Sequence, residues 1–330
     1  MMFLQGKRVL FFSAQAFGIP ENIISAMRKM GAIVDYFDER PTNTFFVKAL
    51  IRINRNLLAV YINKYHKRII DSTARYKYDY IFFIKGESIS EHNVRMLRKK
   101  HPEAKLIIYH WDSIANNKNA LHILPVFDKA YSFDKPDCER FGMTFLPLFY
   151  YRDYEDLARN ILPYDYDLMF VGTTHSDRYS FIKKITTQIS DFGGKSFIYF
   201  FFHNRILFYK MKLQNKSMRH VPVQDVYFKS VDKQGLLDLY GRSRIIIDVQ
   251  HPKQTGLTMR CFEALGAKRK LITTNTYIQG YDFYHPDNIL IVDRQNPVIP
   301  ASFYNAPYRE IPDNIYAKYS LDNWIKIILG

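Results

Sequence analysis

Residues 244–275 read RIIIDVQHPKQTGLTMRCFEALGAKRKLITTN, and this stretch decides the architecture. Its opening run, residues 245–249, is apolar and rich in β-branched side chains, the composition of a parallel strand buried on both faces. A polar loop at 251–255 follows, and a helical pattern then runs from Gly256 to near Gly266. A second short apolar run at 271–274 closes the unit. The spacing predicts strand, loop, helix, strand: one right-handed βαβ element. Thr255 is the expected N-cap, and Gly256 lets a ligand approach backbone N–H groups that have no intrahelical partner. Glu263 follows Gly256 by seven residues, which puts it on nearly the same helix face. A diphosphate at the helix start and a carboxylate for a ribose hydroxyl would together suit a nucleotide. An ordinary βαβ element with a solvated Glu is the plainer alternative.

Outward from this unit the same plan recurs. FVGTTHSDR, residues 170–178, is a strand ending in Gly-Thr ahead of a helix, which gives free N–H groups and a hydroxyl at the sheet's carboxyl edge. His175 or Arg178 is placed to neutralise a pyrophosphate, Arg being favoured for its forked contact. Ser176 or Asp177 would cap the following helix. In the first half, strands are expected at 8–12, 33–37, 80–84, 105–109, 130–133 and 144–148. Alternating strand and helix signals argue for parallel doubly wound sheets. A length of 330 residues suits two domains, and the acidic, Pro-bearing stretch near 150–166 separates them. The expected organisation is a domain at 1–150, a linker at 151–165 and a second domain at 166–330. The latter would end in a closing helix with Trp324, Ile327 and Ile328 on its packing face.

The formal charge is +15, from 47 Lys and Arg against 32 Asp and Glu. Such a field draws phosphates, whether of nucleic acid, lipid headgroups or small molecules. Residues 44–70 hold Lys48, Arg52, Arg55, Lys64, Lys67 and Arg68 with no acidic residue. Phe46, Leu50, Ile53, Leu57 and Val60 recur there at helical spacing. This is a basic amphipathic helix or pair, either packed on a core or docked on an anionic membrane surface. HNRILFYKMKLQNKSMRH, residues 203–220, is basic and aromatic again. A structural helix with a wet basic face, a single-strand stacking surface and a bilayer interface are all open there. Cys138 and Cys261 are too few for a disulfide framework and too far apart for a metal site. The apolar run at 9–12 is shorter than the roughly 7–15 residues of a signal-peptide core, and no run approaches the roughly 20 of a membrane span. A cytoplasmic protein, peripheral at most on the membrane's inner face, is expected.

QTGLTMRCFEALGAKRKLITTN, residues 254–275, resembles the donor-binding segment of glycosyltransferases with the two-domain B-type (GT-B) fold. It is most similar to the CgeB-like and capsule- or lipopolysaccharide-synthesis branch, with its Gly, Arg and Glu-Ala-Leu-Gly pattern before a strand ending in Thr. The resemblance implies an α/β chain of two Rossmann-like doubly wound domains facing a cleft. The first would take a glycan or lipid-linked acceptor and the second a nucleotide-sugar, which is a substrate; no cofactor is implied. Gly172 and Thr173 would face the donor phosphates from one side, and Gly256, Leu257 and Thr258 with Arg260 from the other. Glu263 would bind ribose, and His251 would approach the donor or remain plain polar surface. Thr255 stands where many retaining members place a second Glu, so the Glu pair of such a mechanism is missing. Bacterial surface polysaccharide assembly is the implied setting.

Transfer of a sugar needs the departing nucleoside diphosphate stabilised and, for inversion, a base on the acceptor hydroxyl. Helix N-termini with Arg do the first without a metal, and no Asp-x-Asp dyad stands in a loop that calls for one. Asp112 in YHWDS and Glu87 in IKGES each follow a first-half strand. They are the base candidates in that order, with structural and substrate-positioning roles as the alternative. Asp134 reads as a helix cap. The chain lacks a P-loop, a Gly-x-Gly-x-x-Gly run, a His-Glu-x-x-His and a Gly-x-Ser-x-Gly elbow. The rivals are a nucleotide-sugar epimerase of the same architecture, a basic nucleic-acid-binding protein and a catalytically silent scaffold, nucleic acid being the less expected partner.

Overall fold

The computed structural model describes residues 2–15, 18–42, 58–117, 119–159, 163–174, 177–250 and 255–330. It divides into two units, Met1–Leu148 with Leu321–Gly330, and Phe149–Ser320. Each holds a six-stranded sheet whose pairings are all parallel. These are the two doubly wound α/β domains that the alternating pattern predicts.

In the first unit the strands are β1 (Arg8–Phe12), β2 (Ile33–Phe37), β3 (Tyr80–Ile84), β4 (Lys105–His110), β5 (Lys129–Ser132) and β6 (Thr144–Phe145), in the order β2-β1-β3-β4-β5-β6. RVLFF, YIFFI and KLIIYH are near-continuous apolar runs because both faces of the sheet are covered. Alternation sends Phe12, Phe83 and Ile108 into one core, closed by Ile69, Ile70, Val94 and Leu97 from the helices Ala59–Thr73 and Glu91–Lys100. Phe82 and Tyr109 face the other way, onto Trp324 of the helix Leu321–Leu329. That helix, grouped by sequence with the second domain, covers the first sheet. Its buried side chains Leu321, Trp324, Ile325 and Ile328 follow helical spacing, which turns Ile327 outward, contrary to expectation.

The basic insert is described only from residue 58, so Phe46, Lys48, Leu50, Arg52, Ile53, Arg55 and Leu57 lie outside the described residues. In the described part Ile62, His66, Ile69 and Ile70 face inward, while Val60, expected on the packing face, is exposed. Among the described residues no helix is long and apolar enough to cross a membrane.

In the second unit the strands are β7 (Tyr166–Thr173), β8 (Ser196–Phe201), β9 (Val226–Tyr227), β10 (Ser243–Asp248), β11 (Lys270–Thr273) and β12 (Ile289–Ile291). Their order is β12-β11-β10-β7-β8-β9. The chain runs outward from β7 to β9, crosses back, and runs the other way from β10, so the order reverses between β7 and β10. Leu168, Phe170, Ile245 and Ile247 meet Phe181, Ile182 and Ile185 of the helix Arg178–Asp191 and Phe208 of the helix Arg205–Gln214. The helices Lys233–Gly241 and Met259–Gly266 pack beside β10 and β11. The expected linker carries a helix of its own, Arg152–Arg159. The Gly of Glu-Ala-Leu-Gly has a packing cause: a Cβ on Gly266 would lie 2.7 Å from the Tyr150 ring.

Candidate functional site

Open parallel sheets bind ligands outside the carboxyl ends of their strands, where the order reverses. In the second unit that point lies between Thr173, which ends β7, and Asp248, which ends β10. Two arginines from two helix starts reach it. Arg260 donates through Nη2 to the Val171 carbonyl at 2.6 Å and through Nη1 to the Ile247 carbonyl at 3.4 Å. Its guanidinium sits 5.2 Å from the centre of the Phe170 ring. A Cβ on Gly172 would come within 2.8 Å of that ring and 3.3 Å of Arg260 Nη2, so the glycine makes room for the cation.

Arg178 donates through Nη1 to the Thr173 carbonyl at 3.0 Å and through Nη2 to the Val249 carbonyl at 2.5 Å. It thereby joins the ends of β7 and β10. The two differ in their surroundings: against its burial Arg260 is raised by Tyr240, Asp248 and Glu263 nearby, whereas Arg178 is not compensated. Asp248 approaches Arg260 only to 3.9 Å, and among the described residues Arg178 has no ion pair and a buried Nε without a partner. Burial, and then the neighbouring Arg260, pull the Arg178 guanidinium down to about 10. An anion placed here would offset both effects.

Three further groups frame the site. Arg294 forks Asp177 at 2.7 and 2.8 Å and donates to the Gln250 carbonyl at 2.9 Å, tying together the loops after β7, β10 and β12. Asp177 therefore stands at the expected cap position without capping through its side chain. Asp248 is buried and accepts from Thr258 Oγ1 at 2.8 Å and Thr273 Oγ1 at 3.4 Å. Glu263 accepts from the Tyr240 hydroxyl at 2.9 Å and also from Tyr154. Burial raises the Glu263 carboxyl, against the pull of Arg260. Arg260 and Glu263 are three apart and share a helix face.

The helix of this stretch starts later than its sequence suggests. Its first residue is Met259 after Thr258, not Gly256 after Thr255. Leu257 is buried, and Thr258, in extended backbone, gives its hydroxyl to Asp248. The Thr255 and Gly256 carbonyls instead accept from Asn275 Nδ2 at 3.2 and 3.5 Å. Gly256 thus lies ahead of the helix, and the expected shared face with Glu263 does not arise. The structure gathers Gly172, Thr173, Arg178, Thr258, Arg260 and Glu263 along one edge; Leu257 turns into the core. His251 and His175 lie outside the described residues. The triplet Asp165-Tyr166-Asp167 sits at the opposite, amino end of β7, where Arg242 and Arg244 pair with its acids at 2.5 and 3.0 Å. Among the described residues no His, Cys, Asp and Glu side chains group to hold a metal ion.

The first unit has its own polar cluster at the carboxyl ends of β3 and β4. Lys85 and Gly86 are both left-handed, at φ 74° and 60°, and a Cβ on Gly86 would collide with Ile123. This turn brings Lys85 Nζ to 3.1 Å from Asp112 Oδ2 and 3.9 Å from Glu87 Oε2. Glu87 is buried and gripped by Arg40, whereas the Asp112 side chain is 37% exposed and accepts from Asn116 at 2.9 Å. The two base candidates therefore share one lysine, and Asp112 is the accessible one. Glu39 is buried and accepts from the Glu87 N–H at 3.2 Å; burial, and then Glu87, push it up to about 8. Burial, then Lys85, pull His110 down to about 3, so its ring is neutral. Asp134 caps the helix Lys135–Phe141, accepting from the Asp137 N–H at 3.3 Å.

Sequence reasoning missed Asp248, Arg294, Tyr154 and Tyr240 in the second unit, and Glu39, Arg40 and Lys85 in the first. Asp248 and Arg294 follow apolar strand runs at the carboxyl edge, a signal that was present. The tyrosines lie on other helices, and only packing brings them to Glu263.

No protein-family model and no curated protein matches the chain. Solved structures do. An E. coli trehalose-6-phosphate protein bound with UDP-2-fluoro glucose is similar with a TM-score of 0.60 at 10% identity, over 97% of this chain and 98% of that one. An alpha-glucosyltransferase in complex with UDP and a 13-mer DNA is similar at 0.57 and 12%, over 98% and 95%. The UDP-GlcNAc 2-epimerase of Methanocaldococcus jannaschii is similar at 0.50 and 11%, over 98% and 99%. The likeness runs through both units, and the fold is GT-B.

Proposed function

We propose that this chain is a glycosyltransferase whose second unit binds a nucleotide-sugar, a UDP-sugar foremost, and whose first unit binds a glycan or lipid-linked acceptor. The reading rests on Arg178 and Arg260, two guanidiniums held by strand carbonyls at the sheet's switch point, of which the buried Arg178 has no ion pair among the described residues. A diphosphate supplies the missing charge there, and its departure with the nucleoside is favoured by the same cations. Glu263, steadied by Tyr240 and Tyr154, is assigned to the ribose hydroxyls. Asp112 is assigned to the acceptor hydroxyl as base, with Lys85 and Asn116 fixing its carboxylate. The resemblance to polysaccharide-synthesis enzymes and the net basic charge support bacterial surface glycan assembly as the setting.

Thermal unfolding with UDP, GDP, dTDP and CMP tests the donor site. A nucleotide at about 100 times its dissociation constant adds about 2.7 kcal/mol. One nucleotide should stabilise the wild type and leave Arg260→Met unmoved; no shift with any of the four sinks the proposal. The likeness to an epimerase favours a second reading with the same donor site. Turnover of the nucleotide-sugar to a free epimer without acceptor would establish it.

A further inference from the structure

The helix Arg205–Gln214, RILFYKMKLQ, is attached to the second unit by one face. Phe208 is fully buried, Leu207 and Met211 pack against the same core, and Asn204 Oδ1 caps the start, accepting from the Leu207 N–H at 2.8 Å. Helical spacing puts Ile206, Tyr209, Lys210 and Leu213 together on the opposite face. Ile206 is 84% exposed, Leu213 78% and Tyr209 52%. A single exposed apolar side chain needs no explanation, but three in one stripe on an ordered helix do.

The stripe lies in a field of one sign. No Asp or Glu occurs from residue 192 to 224, a span that holds Lys195, Arg205, Lys210, Lys212, Lys216 and Arg219. Lys212 is turned to the Val221 carbonyl at 2.7 Å, while Lys210 stands exposed on the stripe's face and Lys216 is exposed just past the helix end. We propose that this helix docks on an anionic lipid bilayer. It would lie in the plane of the interface, with Ile206 and Leu213 below the headgroups, the Tyr209 hydroxyl at their level and the cations on their phosphates. Charge complementarity selects this occupant. A second copy would set the same cations against each other, and nucleic acid would meet two branched aliphatic chains where stacking rings are needed. The surface is separate from the donor site and does not depend on it.

The test is co-sedimentation of the full chain with phosphatidylcholine vesicles, with and without phosphatidylglycerol. Binding should require the anionic lipid and weaken with salt. It should fall at least about tenfold in Ile206→Ser/Leu213→Ser, which removes the apolar anchors, and at least about fivefold in Lys210→Glu, which removes one positive charge and adds a negative one. The melting temperature and UDP binding should stay at wild-type values in both variants, which separates this surface from the donor site. Absence of binding to anionic vesicles by the wild type overturns the proposal, as does equal binding by the serine double variant. Dimerisation abolished by the serine changes would assign the face to a second copy. Oligonucleotide binding abolished by Lys210→Glu alone would assign it to nucleic acid.

Discussion

Replacing Arg178 with Met separates the structural work of its guanidinium from its proposed role in holding a diphosphate. The environment pulls the group down to about 10, which corresponds to roughly 3 kcal/mol against its charged form. An arriving phosphate relieves that penalty, and charge-assisted hydrogen bonds contribute about 1.5–3 kcal/mol on their own scale. The two routes agree, so the dissociation constant for UDP should rise roughly 10- to 150-fold in Arg178→Met. Without ligand two effects oppose. Met removes a buried charge, but it leaves the Thr173 and Val249 carbonyls without their donor, at about 1–3 kcal/mol each. The unliganded melting temperature should therefore move by only a few degrees. Arg178→Lys keeps the charge and loses the fork, so it should fall between the two. Titration calorimetry with UDP reads all three proteins. Wild-type affinity in Arg178→Met would refute the reasoning, because the guanidinium would then be only a clamp on two strand ends.

Asp112→Asn should lower turnover with a nucleotide-sugar and acceptor by about 10²- to 10⁴-fold, with UDP affinity unchanged; retained turnover removes Asp112 as base. Glu39 is protonated in the folded chain up to about pH 8 and ionised in the unfolded chain above the usual carboxylate range. Its contribution to stability is thus full in acid and is lost as pH rises to about 8. Glu39→Gln should flatten this decline in melting temperature, and an unchanged slope would mean that another group causes it. Gly266→Ala places a methyl 2.7 Å from the Tyr150 ring. It should cost about 1–3 kcal/mol in a denaturant titration, and a neutral result would show that the ring shifts freely.

The runs RVLFF, YIFFI, KLIIYH and SRIIID announced their strands because burial on both faces leaves composition little choice. Arg260 was legible only through the family resemblance, and the face expected to join Glu263 to Gly256 was not formed; the face Glu263 does share is that of Arg260, three residues before it. The start of their helix was not legible, because it depends on Asp248 taking the Thr258 hydroxyl and on the core taking Leu257. No local pattern reports such long-range partners. Lys85 was invisible as the hub of the first-unit cluster, since nothing local marks a lysine for left-handed backbone. The apolar stripe of the last helix showed that it packs, but chain order assigned it to the second domain, whereas it covers the first sheet.

The helix Leu321–Leu329 has a consequence for synthesis. The strands β1 to β6 leave the ribosome ahead of the whole second unit, yet the rings of Phe82 and Tyr109 meet Trp324 only after residue 320 has been translated. The half made first is therefore kept incomplete, with an aromatic face open to chaperones and proteases. The half made second is contiguous and has all its own parts. The first sheet is thus covered only once the nine residues Leu321–Leu329 have been made, although domains ordinarily fold in the order of synthesis.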